Sequence, residues 1–206
     1  MTLVEIQDIF DISHTYAVVR ARLAEGDPWQ VLDELHALIL KVAKEGAKTG
    51  SLWERQSGVW VGAGAHISAD ATILAPCIIG AGCEIRPNAY LRGNVILGAG
   101  CVIGNASEVK NSLLFDEVKA PHFNYIGDSV LGYRAHLGAG VILSNVRLDH
   151  QKIVPHWASI IAPRRKAGAC IGDGAEIGCH AVINPGTLVG RDVQIPPLSS
   201  VKGWVV

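Results

Sequence analysis

The chain has 206 residues, 49% of them hydrophobic and 18% charged, with a formal net charge of −1. That balance suits one compact domain with a small appendage. With no basic run and no acidic tail it argues against nucleic acid or an anionic membrane surface as partner. No apolar stretch is long enough to span a bilayer and the first residues lack a basic and apolar leader pattern, so a soluble cytoplasmic protein is expected.

Residues 1–57 read as a helical N-terminal cap. A short helix is expected from about Thr15 to Glu25, ending near Gly26. Asp27-Pro28-Trp29-Gln30 then offers an N-cap aspartate, proline at the first helical position and a capping-box glutamine. Val31, Leu32, Leu35, Leu38, Ile39 and Val42 recur at the spacing of one helical face, and Gly46 is the expected stop. These helices carry no visible chemistry and are expected to cover one end of the larger C-terminal domain or to assist oligomerisation.

Residues 58–206 change period. Val61, Ile67, Ile73, Ile79, Ile85, Leu91, Leu97, Ile103 and Val109 stand six residues apart without a slip, and the count resumes at Ile171, Ile177, Ile183, Val189, Ile195 and Val201. A six-residue period suits neither a helix nor simple strand alternation. It predicts a mainly β fold, a parallel β-helix in which three hexapeptides make one triangular coil and the anchors stack inside. The 23 glycines suit repeated tight turns. Five cysteines, with no Cys-x-x-Cys pair, read as free thiols; Cys77, Cys83 and Cys101 each precede an anchor by two residues, as packing residues would.

The count lapses at about 110–125 and 146–170, where extruded loops are expected. The residues around them are polar: Arg92, Asn105, Glu108, Lys110, His122, Asn124, Tyr125, Asp128, His136, Asn145 and Lys152.

Within this block, Gly104-Asn105-x-x-Glu108-x-Lys110, then Lys119-Ala120-x-His122-x-x-Tyr125-x-Gly127-Asp128, then Gly138-Ala139-Gly140 and Asn145 occur in succession. The block resembles the acetyltransferase half of the bifunctional N-acetylglucosamine-1-phosphate uridyltransferase/glucosamine-1-phosphate acetyltransferase family, one of the left-handed parallel β-helix proteins. The resemblance implies a left-handed prism, a homotrimer and acetyl transfer from acetyl-CoA to an amino-sugar phosphate or nucleotide-linked amino sugar, with no metal in the chemistry. By resemblance His122 is the general base that takes the proton of the attacking amine, a role suited to imidazole. Arg92 and Lys110 match cations that hold a sugar phosphate. Tyr125 and Asn145 match substrate-pocket residues, Lys152 matches more loosely a basic residue from a neighbouring subunit, and Glu108 is placed to orient a cation or the substrate. The Ala139 and Gly140 backbone would lie near the thioester, where an N–H stabilises an oxyanion. Three positions depart from the family: His136 stands where an asparagine near the amine is expected, Cys179 where a serine contacts the coenzyme, and Pro197 where an alanine does. The nucleotidyl-transferring half would need a Gly-rich loop followed by arginine, and residues 1–60 contain none.

Other readings remain open from the residues themselves. A lone histidine on a solenoid turn is ordinarily solvated, and Arg164-Arg165-Lys166 is either a solvated run or a grip for the coenzyme's 3′-phosphate. A non-catalytic module that binds sugar phosphates needs the same cations. A zinc site of the carbonic anhydrase kind would draw on His122, His136, His150, His156 and His180, whose spacings fit no local pair.

Overall fold

The computed structural model describes residues 5–26, 28–154 and 163–206. Three parallel sheets form the faces of a prism. Face I has nine strands, running from Leu52–Gln56 and Val59–Gly62 through Cys77–Ile79, Val95–Leu97, Ser112–Leu114, Val130–Leu131, Ala169–Ile171 and Thr187–Val189 to Trp204–Val205. Face II has seven, among them Val102–Asn105, Lys119–His122 and His136–Leu137; face III has seven, among them Tyr90–Arg92, Glu108–Lys110, Tyr125–Gly127 and Ile142–Leu143. The chain visits the faces in the order I, II, III. All strand pairings are parallel except the first, where Leu52–Gln56 folds back on Val59–Gly62 and covers the edge of face I.

The fifteen predicted anchors all point into the prism: twelve are buried, and Ile67, Ile73 and Val201, in the terminal coils, are partly so. The prism is the left-handed parallel β-helix expected from the repeat and the resemblance. Cys77, Cys83 and Cys101 are buried free thiols as expected, and the Sγ atoms of Cys83 and Cys101 donate to the carbonyls of Gly98 and Phe115 at 3.0 Å. Cys179 departs from that expectation and is exposed at a corner.

The loop expected at 110–125 is not there. Those residues are regular strands, and the ladder continues through Leu114, Ala120, Ile126, Leu131, Leu137 and Leu143. What breaks the count is the loss of one residue per coil: Asn111 and Asp128 stand where the other coils have a longer turn from face III to face I. Partners there are 17 apart in sequence, as in Leu113–Val130, against 18 in Val61–Ile79. The second break is a true insertion. Ser129 and Ala169 are neighbours across 40 residues. The inserted segment is closed at its base by Ile153 and Arg164, which exchange N–H···O bonds of 2.7 and 3.0 Å, and by the Gly168 N–H donating to the Asp128 carbonyl at 2.8 Å. His156 and the middle of that segment lie outside the described residues.

The helices are not an end cap. Helices α1 (Ile6–Ile9), α2 (Ala17–Leu23), α3 (Pro28–Asp33) and α4 (Leu35–Thr49) join an apolar layer with Ile78, Ile96, Leu113, Val130, Cys170 and Leu188, the outward residues of face I. Face I is therefore buried on both sides, which is why its strands read Cys-Ile-Ile and Val-Ile-Leu without alternation. The expected long helix is divided at Glu34, and the predicted N-cap Asp27 lies outside the described residues. Gly46 is not the stop: it sits buried within α4, and the helix ends at Gly50, whose φ of 71° is the left-handed C-cap. The helical layer on face I leaves faces II and III, and the corner between them, as the open surface of the chain.

Candidate functional site

His122 ends its face II strand at the corner leading to face III. Its main chain is locked there by Asn124, which is buried: the Asn124 side chain accepts from the His122 N–H at 3.2 Å and donates to the Gly138 carbonyl at 2.7 Å. Successive coils then stack along this corner. The Gly140 N–H donates to the His122 carbonyl (3.1 Å), His180 N–H to Ala139 (2.8 Å) and Leu198 N–H to Cys179 (2.9 Å). His122, Ala139, Gly140, Cys179 and Pro197, predicted from scattered stretches of sequence, are thus brought onto one edge.

Two details of this edge bear on chemistry. The N–H groups of Gly138 and Gly140 are committed to Ile177 (2.7 Å) and His122. The Ala139 N–H has no protein acceptor among the described residues, so it is open to donate to a ligand. Phe123 and His180, rings 6.0 Å apart, close over Gly140 from the coils on either side. A Cβ at Gly140 would come within 2.6 Å of the His180 ring, so this close approach needs glycine. The sequence reading gave Phe123 no part in the site and named His180 only in the zinc reading.

A second cluster stands on face III and at its far corner. Strand alternation sets Tyr90, Glu108 and Tyr125 in one outward row and Arg92, Lys110 and Gly127 in the next. Arg92 pairs with Glu108 at 2.6 Å, and Lys110 with Asp128 at 3.2 Å. Asp128, only 7% exposed, also accepts from Asn111 (2.8 Å) and Asn145 (2.5 Å). The Asn145 amide donates onward to the Tyr125 hydroxyl at 3.2 Å, over Gly127, where a Cβ would collide with both side chains. The shortened corners make this cluster: each lost residue draws Lys110, Asn111 and Asp128 of adjacent coils together. Asp128 is its hub and carried no predicted role. Both predicted phosphate cations already have a carboxylate partner, so an incoming phosphate must compete with Glu108 and Asp128.

Two predicted residues do not join. His136 shares the outward row of Lys119 on face II and pairs with Glu176 at 2.6 Å; its strand belongs to face II, whereas Arg92 and Lys110 stand on face III. Lys152 is exposed in the inserted segment, without an ion pair among the described residues. Among the described residues no three His, Cys, Asp or Glu side chains are grouped to hold a metal. Among the described residues no helix is long and apolar enough to cross a membrane.

Repeat and prism together define a hexapeptide-repeat left-handed β-helix. Residues 73–163 match the family described as the GMPPB C-terminal domain. The chain is 34% identical over 94 residues to the bifunctional protein GlmU of Methanococcus maripaludis, a match covering 45% of this chain and 23% of that protein. It is 38% identical over 105 residues to the bifunctional sugar-1-phosphate nucleotidylyltransferase/acetyltransferase of Sulfurisphaera tokodaii, covering 44% of this chain and 26% of the relative. The matched stretch thus spans about a quarter of the length of these curated relatives. They are of the bifunctional kind that the motif block resembles. Among solved structures, the UDP-N-acetylglucosamine O-acyltransferase of Moraxella catarrhalis has the same fold, with a TM-score of 0.52 at 18% identity over 73% of this chain and 66% of that one.

Proposed function

We propose that this chain is an acetyl-CoA-dependent N-acetyltransferase for an amino-sugar phosphate or a nucleotide-linked amino sugar. The observation that carries the reading is the shared boundary of the two clusters: His122 stands on the edge that borders the face holding Tyr125, Lys110 and Asn145. The thioester of acetyl-CoA would lie along the edge, at the Ala139 N–H and the Gly140 cradle. The acceptor would lie across face III with its amine toward His122. The neutral amine attacks the thioester carbonyl, and the His122 imidazole takes the proton lost from nitrogen. The Ala139 N–H meets the oxyanion of the tetrahedral intermediate. Collapse breaks the C–S bond, and the imidazolium returns its proton to the departing thiolate. No metal is needed for this sequence. Leu74, Ile142 and Val182 on face III and Phe123 and Leu198 on the edge are large, exposed and apolar, which supports burial against a second copy in a homotrimer. A cytoplasmic setting fits a coenzyme A substrate.

A second reading, a sugar-phosphate-binding module without catalysis, is favoured by one fact: the His122 imidazole has no orienting partner among the described residues, whereas a working base is usually oriented by one. A thermal-shift panel separates the two. Under catalysis both acetyl-CoA and an amino-sugar phosphate raise the melting temperature, by about 2.7 kcal/mol of stabilisation at a hundredfold excess over Kd, and mixing them yields the acetylated sugar. Stabilisation by sugar phosphates but not by acetyl-CoA would leave the binding module standing.

A further inference from the structure

At the corner from face III to face I, on the far side of the face from His122, the inserted segment and α3 enclose a cleft of about 310 Å³. Asn111 and Asp128 form its floor, Trp29, Leu32 and Asp33 one wall, and Arg164, Arg165 and Lys166 the other. Its charges are unequally matched. Asp33 holds Arg164 through two bonds of 2.6 Å, and Asp128 is engaged by Lys110, Asn111 and Asn145. Arg165 and Lys166 are exposed and, among the described residues, neither has a carboxylate partner. The Nε of Arg164 is buried without an acceptor.

The cleft is built rather than incidental. The Arg164–Asp33 fork ties the inserted segment to α3, and the Ile153–Arg164 bridge fixes the base from which Arg165 and Lys166 project. Two cations without a carboxylate partner among the described residues, beside an amide donor, suit a tetrahedral dianion, for which a guanidinium and an ammonium supply a fork and a point charge. Trp29 and Leu32 are almost fully buried, so the wall offers no stacking platform for a base. Asn111 and Asp128 belong to both cleft and face III cluster, so a ligand can pass continuously from one to the other.

We propose that Arg165 and Lys166 bind the phosphate of the acceptor in this cleft, while its sugar crosses Gly127 and Tyr125 toward the His122 edge. The three strand residues 125–127 span about 10 Å at about 3.3 Å each, longer than the reach from amine to phosphorus within an amino-sugar 1-phosphate, so the group that meets the cleft while the amine meets the His122 edge is the outer phosphate of a nucleoside diphosphate amino sugar. The phosphate thereby avoids Arg92 and Lys110, whose charges Glu108 and Asp128 already neutralise. Only the identity of the acceptor rests on the proposed acetyl transfer; anion binding does not. An amino-sugar 1-phosphate carries the same anionic chemistry but is too short to reach both the cleft and the His122 edge.

The test titrates the full chain calorimetrically with inorganic phosphate, pyrophosphate, an amino-sugar 1-phosphate and a nucleoside diphosphate amino sugar. It compares wild type, the double variant Arg165→Ala/Lys166→Ala, the charge-keeping Arg165→Lys/Lys166→Arg and, as a distant control, Lys44→Ala. Pyrophosphate is expected to bind wild type and Lys44→Ala alike, to lose at least tenfold in affinity in the alanine pair and to recover in the charge-keeping pair, with binding weakened by salt. Whichever sugar shows the same loss identifies the source of the phosphate. Equal binding of all four probes to wild type and the alanine pair, or none to wild type, overturns the cleft assignment. Loss of pyrophosphate binding in a protein that never acetylates any sugar removes the catalytic reading and leaves the cleft. An active alanine pair with unchanged acceptor KM removes the cleft and leaves catalysis.

Discussion

The turn from face III to face I is made differently in the middle of the prism and at its ends. In the coils with an 18-residue repeat, such as Val61 to Ile79, it has room for an extra residue; in the two coils with a 17-residue repeat it passes through Asn111 and Asp128 alone, with φ of 45° and 50°. Asn and Asp tolerate that left-handed region better than other non-glycine residues. Inside, nothing changes: Val109 and Ile126 are as buried as Leu91 and Ile183. Outside, the shortened turns carry a buried carboxylate with three donors. A solenoid can thus alter its outer chemistry one corner at a time without disturbing the ladder.

That contrast can be broken at several points. The largest effect is expected in the ladder, where Ile126→Ala in a short coil and Ile85→Ala in a long one should each lower the unfolding free energy by about 2–5 kcal/mol in urea titration; a trivial loss at Ile126 alone would mean that the short coils are poorly packed. Next, Asp128→Ala strands Lys110, Asn111 and Asn145 and should cost about 1–3 kcal/mol, read from the same titrations. Inserting one glycine after Asn111 restores the longer turn. It should leave the circular dichroism spectrum unchanged and raise acceptor KM at least tenfold, and an unaltered KM would show that the short turn has no part in the site. The smallest effect is expected at Glu108→Ala, an exposed pair worth under about 1 kcal/mol, which should nonetheless tighten anion binding by freeing Arg92. The thiols give a chemical version of the same inside–outside contrast. Burial raises the pKa of Cys77 and Cys101 well above an ordinary thiol, so alkylation of the native protein at neutral pH should modify exposed Cys179 first and leave those two unmodified.

The ladder was legible because a buried aliphatic every six residues has no other periodic explanation. Six of its rungs, Leu114 to Leu143, were not, because steps of five at 109–114 and 126–131 destroyed a strict count while leaving the geometry intact. The helical layer could have been placed from the unalternating apolar strands of face I, which announce a sheet covered on both sides. The residues from His122 to Pro197 were named from motif resemblance, and the structure stacks them along one corner. His136 stands on face II, because each coil passes through three faces and sequence proximity does not say which face a strand belongs to. Asp128 and Asn124 were passed over for a different reason: in a turn-rich repeat, polar corner residues read as turn formers, and only the folded chain shows them buried and bonded across coils.

The most direct test of catalysis at the His122 edge is the turnover of His122→Ala, measured with acetyl-CoA and the best-stabilising acceptor across pH. A general base at this position predicts a fall in kcat of about a hundredfold or more, with affinities for both ligands within a few-fold of wild type. An unchanged kcat would contradict it.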